Sequence, residues 1–318
     1  MKAWIIVAIC LVVAGSLVFV AVMSVNKWDF MKLSTTKFVT ATHEINEDFE
    51  NIYIEAGDAD VSLYPSDDGV CRVVCKDEEK ITYTVSVSDG ALSITSVDNR
   101  KWYEHISIGI STDSSKLSVY LPKSEYAALG ISCRTGDVDM AKGLSFRAAD
   151  ISITTGDVEC LANVSGLLKI EGSTGDVTVE ALRVGALDVK VSTGDVELSD
   201  VTSAGEVNIK VSTGDVELSG VNCKGLFSGG NTGDISLEKV DATEKFNIVR
   251  TTGDITLEGC DAYEIFIKTD TGDVSGSLLS EKIFAAKTNT GDVRVPNSTT
   301  GGICEIETNT GDIKINIG

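Results

Sequence analysis

The sequence predicts an all-β fold, a single-stranded parallel β-solenoid (β-helix) with coils of 19–20 residues, preceded by one N-terminal transmembrane helix. Three observations predict it. Thr-Gly-Asp occurs ten times at intervals of 19 or 20 residues, and a fixed period in this range marks units that bury their apolar faces only by stacking. Apolar and polar residues alternate on both sides of each triplet, the signature of strands with one buried face. No repeat holds a stretch of helical spacing long enough for a helix.

Taken in order, the chain divides into four parts: an anchor (1–26), a stalk (27–50), irregular N-terminal β coils that also cap the array (51–130) and a regular solenoid (131–318). Residues 3–25 carry no charged side chain and are long enough to cross a bilayer. The apolar run exceeds that of a cleavable signal, and no A-x-A site follows it, so it reads as an uncleaved single-pass anchor. Lys27, Lys32 and Lys37 outnumber Lys2, which favours a cytoplasmic solenoid, but large domains translocate largely regardless of loop charge. The expected location is the cell membrane, with the solenoid outside the cytoplasm.

Between 51 and 130 the segment Ala56-Gly57-Asp58-Ala59-Asp60-Val61 looks like a degenerate corner. Alternating runs follow at Ile81–Val87, Leu92–Ile94, Ile106–Ile110 and Leu117–Leu121. In the regular part, Leu187, Val189 and Val191 alternate with Asp188, Lys190 and Ser192; Val196 and Leu198 resume the alternation after the triplet, and Val201 adds an anchor. Stacked about 4.8 Å apart, such coils place like residues above like. Glycine supplies a corner that other residues reach only with strain. The structural turns are therefore Gly136, Gly156, Gly175, Gly194, Gly214, Gly233, Gly253, Gly272, Gly291 and Gly311. A meander of 20-residue hairpins is the rival, because Gly-Asp also suits tight hairpin turns. Gly318 closes a strand with no cap in view, so self-association through this C-terminal edge is expected.

Composition limits function. The formal net charge of −21 argues against nucleic acid, whose phosphates need Lys and Arg. Of eight cysteines, Cys10 lies in the apolar run and leaves an odd seven, while Cys71 and Cys75 sit four apart in one strand. That is roughly 13 Å, too far to bridge. They read as reduced, buried thiols. There is no G-x-S-x-G, P-loop, dinucleotide fingerprint or H-E-x-x-H, and neither His43 nor His105 has a partner at metal-ligand spacing.

The one ionisable group repeated at a fixed place is the triplet aspartate: Asp137, Asp157, Asp176, Asp195, Asp215, Asp234, Asp254, Asp273, Asp292 and Asp312. Two readings compete. In the first, each carboxylate accepts backbone N–H groups at its own corner, as in an Asx turn. In the second, the column is a calcium ladder, since hard cations prefer carboxylate oxygen.

Lys101-Trp102-Tyr103, Leu121-Pro122-Lys123, Tyr126 and the recurring Ser-Thr-Gly-Asp-Val segments resemble those of a bacterial "putative adhesin" family of unknown function, over nearly all of residues 38–318. The resemblance implies a Gly-Asp-rich β-solenoid, often membrane-anchored, with some relatives resembling envelope-stress or antimicrobial-peptide sensors. It supplies no catalytic residue.

The resulting expectation is a non-enzymatic, membrane-anchored envelope protein without a cofactor, serving as a binding or scaffold surface for a protein, glycan or wall polymer. The alternatives are a regulatory, envelope-stress-sensing partner protein and a calcium-stabilised surface solenoid. A specific site is expected where periodicity breaks, at Asp98–His105 or Asn297–Gly302.

Overall fold

A computed structural model describes residues 2–25, 27–28, 37–102 and 114–318. Helix Lys2–Val25 contains the one described helix with the length and apolarity to cross a membrane, over Ile5–Val25. The rest is strand, and parallel stacking rather than hairpin pairing joins the repeats. Strand Arg183–Thr193 shows why. Leu187, Val189 and Val191 point into the core at 0–1% exposure while Asp188 and Lys190 face solvent. The Thr193-Gly194-Asp195 corner turns the chain into Val196–Ser199, which buries Val196 and Leu198 against the first strand's apolar face. Each buried Val, Leu or Ile contributes about 1.5–3 kcal/mol relative to exposure. Each coil thus adds a long strand to one sheet and a short strand to a second, with the core between them. Register is strict: Leu187 pairs with Val207, Val189 with Ile209 and Val196 with Val216.

At both ends the spatial order departs from chain order. Strand Asn51–Gly57 lies between Ala91–Asp98 and Glu125–Thr135, so the first coil is second in the stack. Strand Asp60–Pro65 is likewise flanked by Lys116–Leu121 and Val138–Met140. At the other end, Gly302–Thr310 lies between Ile255–Thr271 and Lys282–Thr290. Strand Ile313–Ile317 has Val274–Leu278 on one side and Val293–Arg294 on the other. The C-terminal strand is therefore interior, and the open edge expected there belongs to residues 282–294. Like coils present like edges, so the repeat pattern does not specify which coil neighbours which.

The N-terminal end is closed by antiparallel strands. Ile81–Ser88 pairs with Ala91–Asp98, and Cys71–Glu78 pairs with Lys116–Leu121 and with Phe38–Ile45. Residues 38–45, expected within a stalk, thus form part of this cap. Asp77 holds the cap together. Its carboxylate, 3% exposed, accepts bonds from Tyr83 Oη (2.7 Å), Ser115 Oγ (2.5 Å) and the Glu78 amide (2.7 Å). Burial, reinforced by Asp77, pushes the Tyr83 hydroxyl far above the usual phenol range. Asp77→Ala deprives the half-buried hydroxyls of Tyr83 and Ser115 of their acceptor. It is expected to cost about 3 kcal/mol, read as an earlier urea transition and faster amide exchange in strand 81–88.

Candidate functional site

The ten triplets form one vertical file, and the bond that builds it crosses between coils. The amide of each aspartate donates to Oδ1 of the aspartate one coil below: Asp195 to Asp176 at 2.8 Å, Asp215 to Asp195 at 2.7 Å, Asp234 to Asp215 at 2.7 Å. The file follows the spatial order at its end, with Asp312 donating to Asp273 (2.7 Å) and Asp292 to Asp312 (2.8 Å). The expected Asx-type bond within each corner is replaced by this bond to the next corner. An N–H between successive carboxylates offsets their mutual repulsion, which is the electrostatic problem such a column poses.

The file has an eleventh member. Asp137 donates to Asp60 Oδ1 at 3.2 Å, so Asp60, in the degenerate corner, is the rung. Its neighbour Asp58 instead receives Arg134 Nε (2.8 Å) and Thr135 Oγ1 (2.9 Å), and Arg134 holds its carboxyl below the ordinary value.

Glycine is required at each corner for two reasons. Its φ lies between +123° and +151° in all ten triplets. A Cβ on Gly194 would sit 2.0 Å from the Gly175 carbonyl oxygen, and the same clash recurs up the column. That carbonyl faces the Cα of the next glycine, a short C–H···O geometry. In some coils an inward side chain adds a true donor: Thr308 Oγ1 to Gly272 O (3.1 Å), Thr288 Oγ1 to Gly311 O (2.9 Å) and Arg250 Nη2 to Gly214 O (3.1 Å). Arg250 is the outlier. It is 2% exposed in the core, with Nη1 on Val211 O at 2.9 Å, in space opened by Gly230, whose Cβ would lie 1.9 Å from Nη1. Sequence reasoning missed it. The signal was a lone Arg in a column otherwise occupied by Val, Ile, Gly, Thr and Cys.

Seven cysteines are buried and unbridged, with only Cys10, on the helix, exposed. Burial pushes Cys71, Cys133 and Cys160 up to about 11 and Cys75, Cys223 and Cys304 to about 12. At pH 8 these thiols are protonated, so they are poor nucleophiles. Iodoacetamide at pH 8 is expected to leave the seven unlabelled in native protein and to modify them all in urea, read by intact mass.

Among the described residues, no group of three or more His, Cys, Asp and Glu side chains is placed to hold a metal ion. One oxygen of each interior ladder carboxylate is occupied by an amide. Millimolar calcium is expected to leave the thermal midpoint unchanged, because a ligand of the native state must raise it. His43 lies opposite Val73 in the cap, and His105 lies outside the described residues, as do Tyr103 and the run Ile106–Ile110. Of the two expected loops, Asp98 pairs with Arg100 Nη2 at 2.7 Å. The other connects to the interior C-terminal coil, with Ser298 and Thr300 bonded to Glu281.

The long-strand sheet carries a depression of about 570 Å³ centred on Gly229 and Gly230. Outward positions in neighbouring coils are Asp188, Asn208, Lys210, Asn247 and Thr251, and Gly229 leaves a gap between Lys210 and Val249. Phe227 forms part of the rim, with Lys245 Nζ 4.7 Å from its ring centroid.

A search of curated proteins gave no significant match. A structure described as a putative lipid binding protein from Parabacteroides distasonis ATCC 8503 is similar over 87% of this chain and 96% of its own, at 16% identity and a TM-score of 0.49. A putative adhesin from Bacteroides fragilis NCTC 9343 is similar over 88% and 97%, at 16% identity and a TM-score of 0.42. One from Parabacteroides merdae ATCC 43184 is similar over 88% and 96%, at 14% identity and a TM-score of 0.41. The Toastrack DUF4097 profile matches residues 49–219 and 202–318, and the chain belongs to that family.

Proposed function

We propose that this is a non-enzymatic, membrane-anchored protein of the bacterial envelope whose long-strand sheet binds an extended ligand such as a glycan, wall polymer or protein segment. The observation that supports this most is the outer face of that sheet, where polar side chains repeat at one coil height and part around the Gly229 depression. A repeated array meets a repeated polymer with many equivalent weak contacts, and the dip gives one place for register. Asn208 and Thr251 offer amide and hydroxyl groups, and Phe227 adds an apolar rim, a combination suited to sugar hydroxyls and C–H faces. The apolar run at Ile5–Val25 fits an anchor at the bilayer.

The test is binding of the full chain, in detergent, to isolated cell-wall polymer and to a glycan array. Asn208→Ala with Phe227→Ala is expected to weaken capture at least tenfold while leaving the thermal midpoint near wild type. Equal capture by the double variant would remove the depression from the reading. Protease treatment of intact cells tests the outward orientation, since a cytoplasmic solenoid stays uncut.

A further inference from the structure

The C-terminal coil occupies a slot. Its strand Gly302–Thr310 pairs with Ile265–Thr271 on one side and with Lys282–Thr290 on the other. The fit is specific. A Cβ on Gly302 would lie 1.6 Å from Tyr263 O, and Lys282, in register with Gly302, reaches Asp261 Oδ1 at 2.6 Å. Asn309 Nδ2 donates to Asp270 Oδ1 at 3.2 Å and its Oδ1 accepts from Asn289 at 3.0 Å. Asp312 takes its place in the aspartate file between Asp273 and Asp292.

The walls of the slot precede its occupant in the chain. Gly272 and Gly291 are separated by 19 residues, the spacing found between coils that stack directly. Residues 282–294 nevertheless stand two coil heights, about 9.6 Å, from 265–278, with residues 302–318 between them, so that gap must be open when 302–318 arrive. A connection of seven residues, 295–301, is all that ties the occupant to its own slot. The same segment from another copy makes every one of these contacts equally well. The outermost coil also leaves Phe284, Ala286 and Val295 only partly buried, and Ile283 and Val293 exposed, and among the described residues no antiparallel strands cover it as they do the other end.

We propose that residues 302–318 exchange between two copies of this chain, each inserting its C-terminal coil into the other's slot. The connection spans at most about 25 Å at full extension, so the two open ends meet face to face and cover each other's apolar end residues. The arrangement is two-fold and closes on itself.

Register partners Lys268 and Glu307 test it on the full chain. Neighbouring strands place their Cα atoms at a separation a disulfide accepts. One copy carries K268C, a differently tagged copy carries E307C, and the two are co-expressed and oxidised. A disulfide-linked heterodimer is expected, with no such product when K190C replaces E307C. A single chain bearing both K268C and E307C controls for seating of the coil. An internal disulfide there without any heterodimer overturns exchange. Failure of that chain to form any 268–307 disulfide, within or between copies, or equal linking by K190C, overturns it as well.

Discussion

Gly194→Ala is expected to lower stability by about 4 kcal/mol or more, the range reached only when a substitution meets a named steric or strain mechanism. Two effects act together. The residue holds φ at +139°, a region that costs a side-chain-bearing residue about 1–3 kcal/mol. The new methyl would stand 2.0 Å from the Gly175 carbonyl, so coils must separate or the corner must turn over. Either movement breaks the bonds from Asp195 to Asp176 and from Asp215 to Asp195. Because stability in a repeat array is nearly a sum of coil and interface terms, the loss concentrates in the coils around residue 194. Hydrogen exchange is the decisive readout: amides from 177 to 213 should lose protection while those near 54 and 131 keep it. Uniform protection across the array would show that the corner tolerates a side chain.

The second large effect is at Arg250. Its guanidinium is buried, gives two bonds to carbonyl oxygens, and leaves Nε without a partner. Burial lowers its pKa from the ordinary value, opposed by the charges of Asp215 and Asp234. Arg250→Ala empties the space beneath Gly230 and removes two donors, an expected loss of about 3–5 kcal/mol. Arg250→Met keeps the volume and sheds the buried charge, so it should cost about 1 kcal/mol or less, since replacing a buried ion by an apolar residue of similar size is often neutral. Urea titration of the two variants separates volume from charge. Equal losses would assign the residue's contribution to its hydrogen bonds.

Much of the architecture was legible because it depends on local pattern. Period-two alternation fixed which of Leu187 to Val191 face inward, and the glycine spacing fixed where the coil turns. Burial of the thiols followed from their apolar slots. What escaped is what a repeat conceals. Asp58 and Asp60 both suit a corner, and only the stacked partner, Asp137, chooses between them. The carboxylate-to-amide bond was assigned within a corner because the sequence shows aspartate beside a turn and nothing of the coil beneath it. Chain order failed as a guide to spatial order at both ends, since coils of matching period pair equally well with any neighbour. The placement of Arg250 escaped for a related reason: its host space is made by Gly230, one coil away.

The aspartate file has a bearing on how such a protein changes over generations. Every interior rung offers the same donor above and the same acceptor below, so a duplicated or deleted stretch of 19 or 20 codons leaves both junctions chemically intact. The rearranged termini are unlike the middle and would not survive such an event. Growth and shortening are thereby confined to the centre of the stack, in increments of one rung, and lineages can adjust its length without redesigning either end.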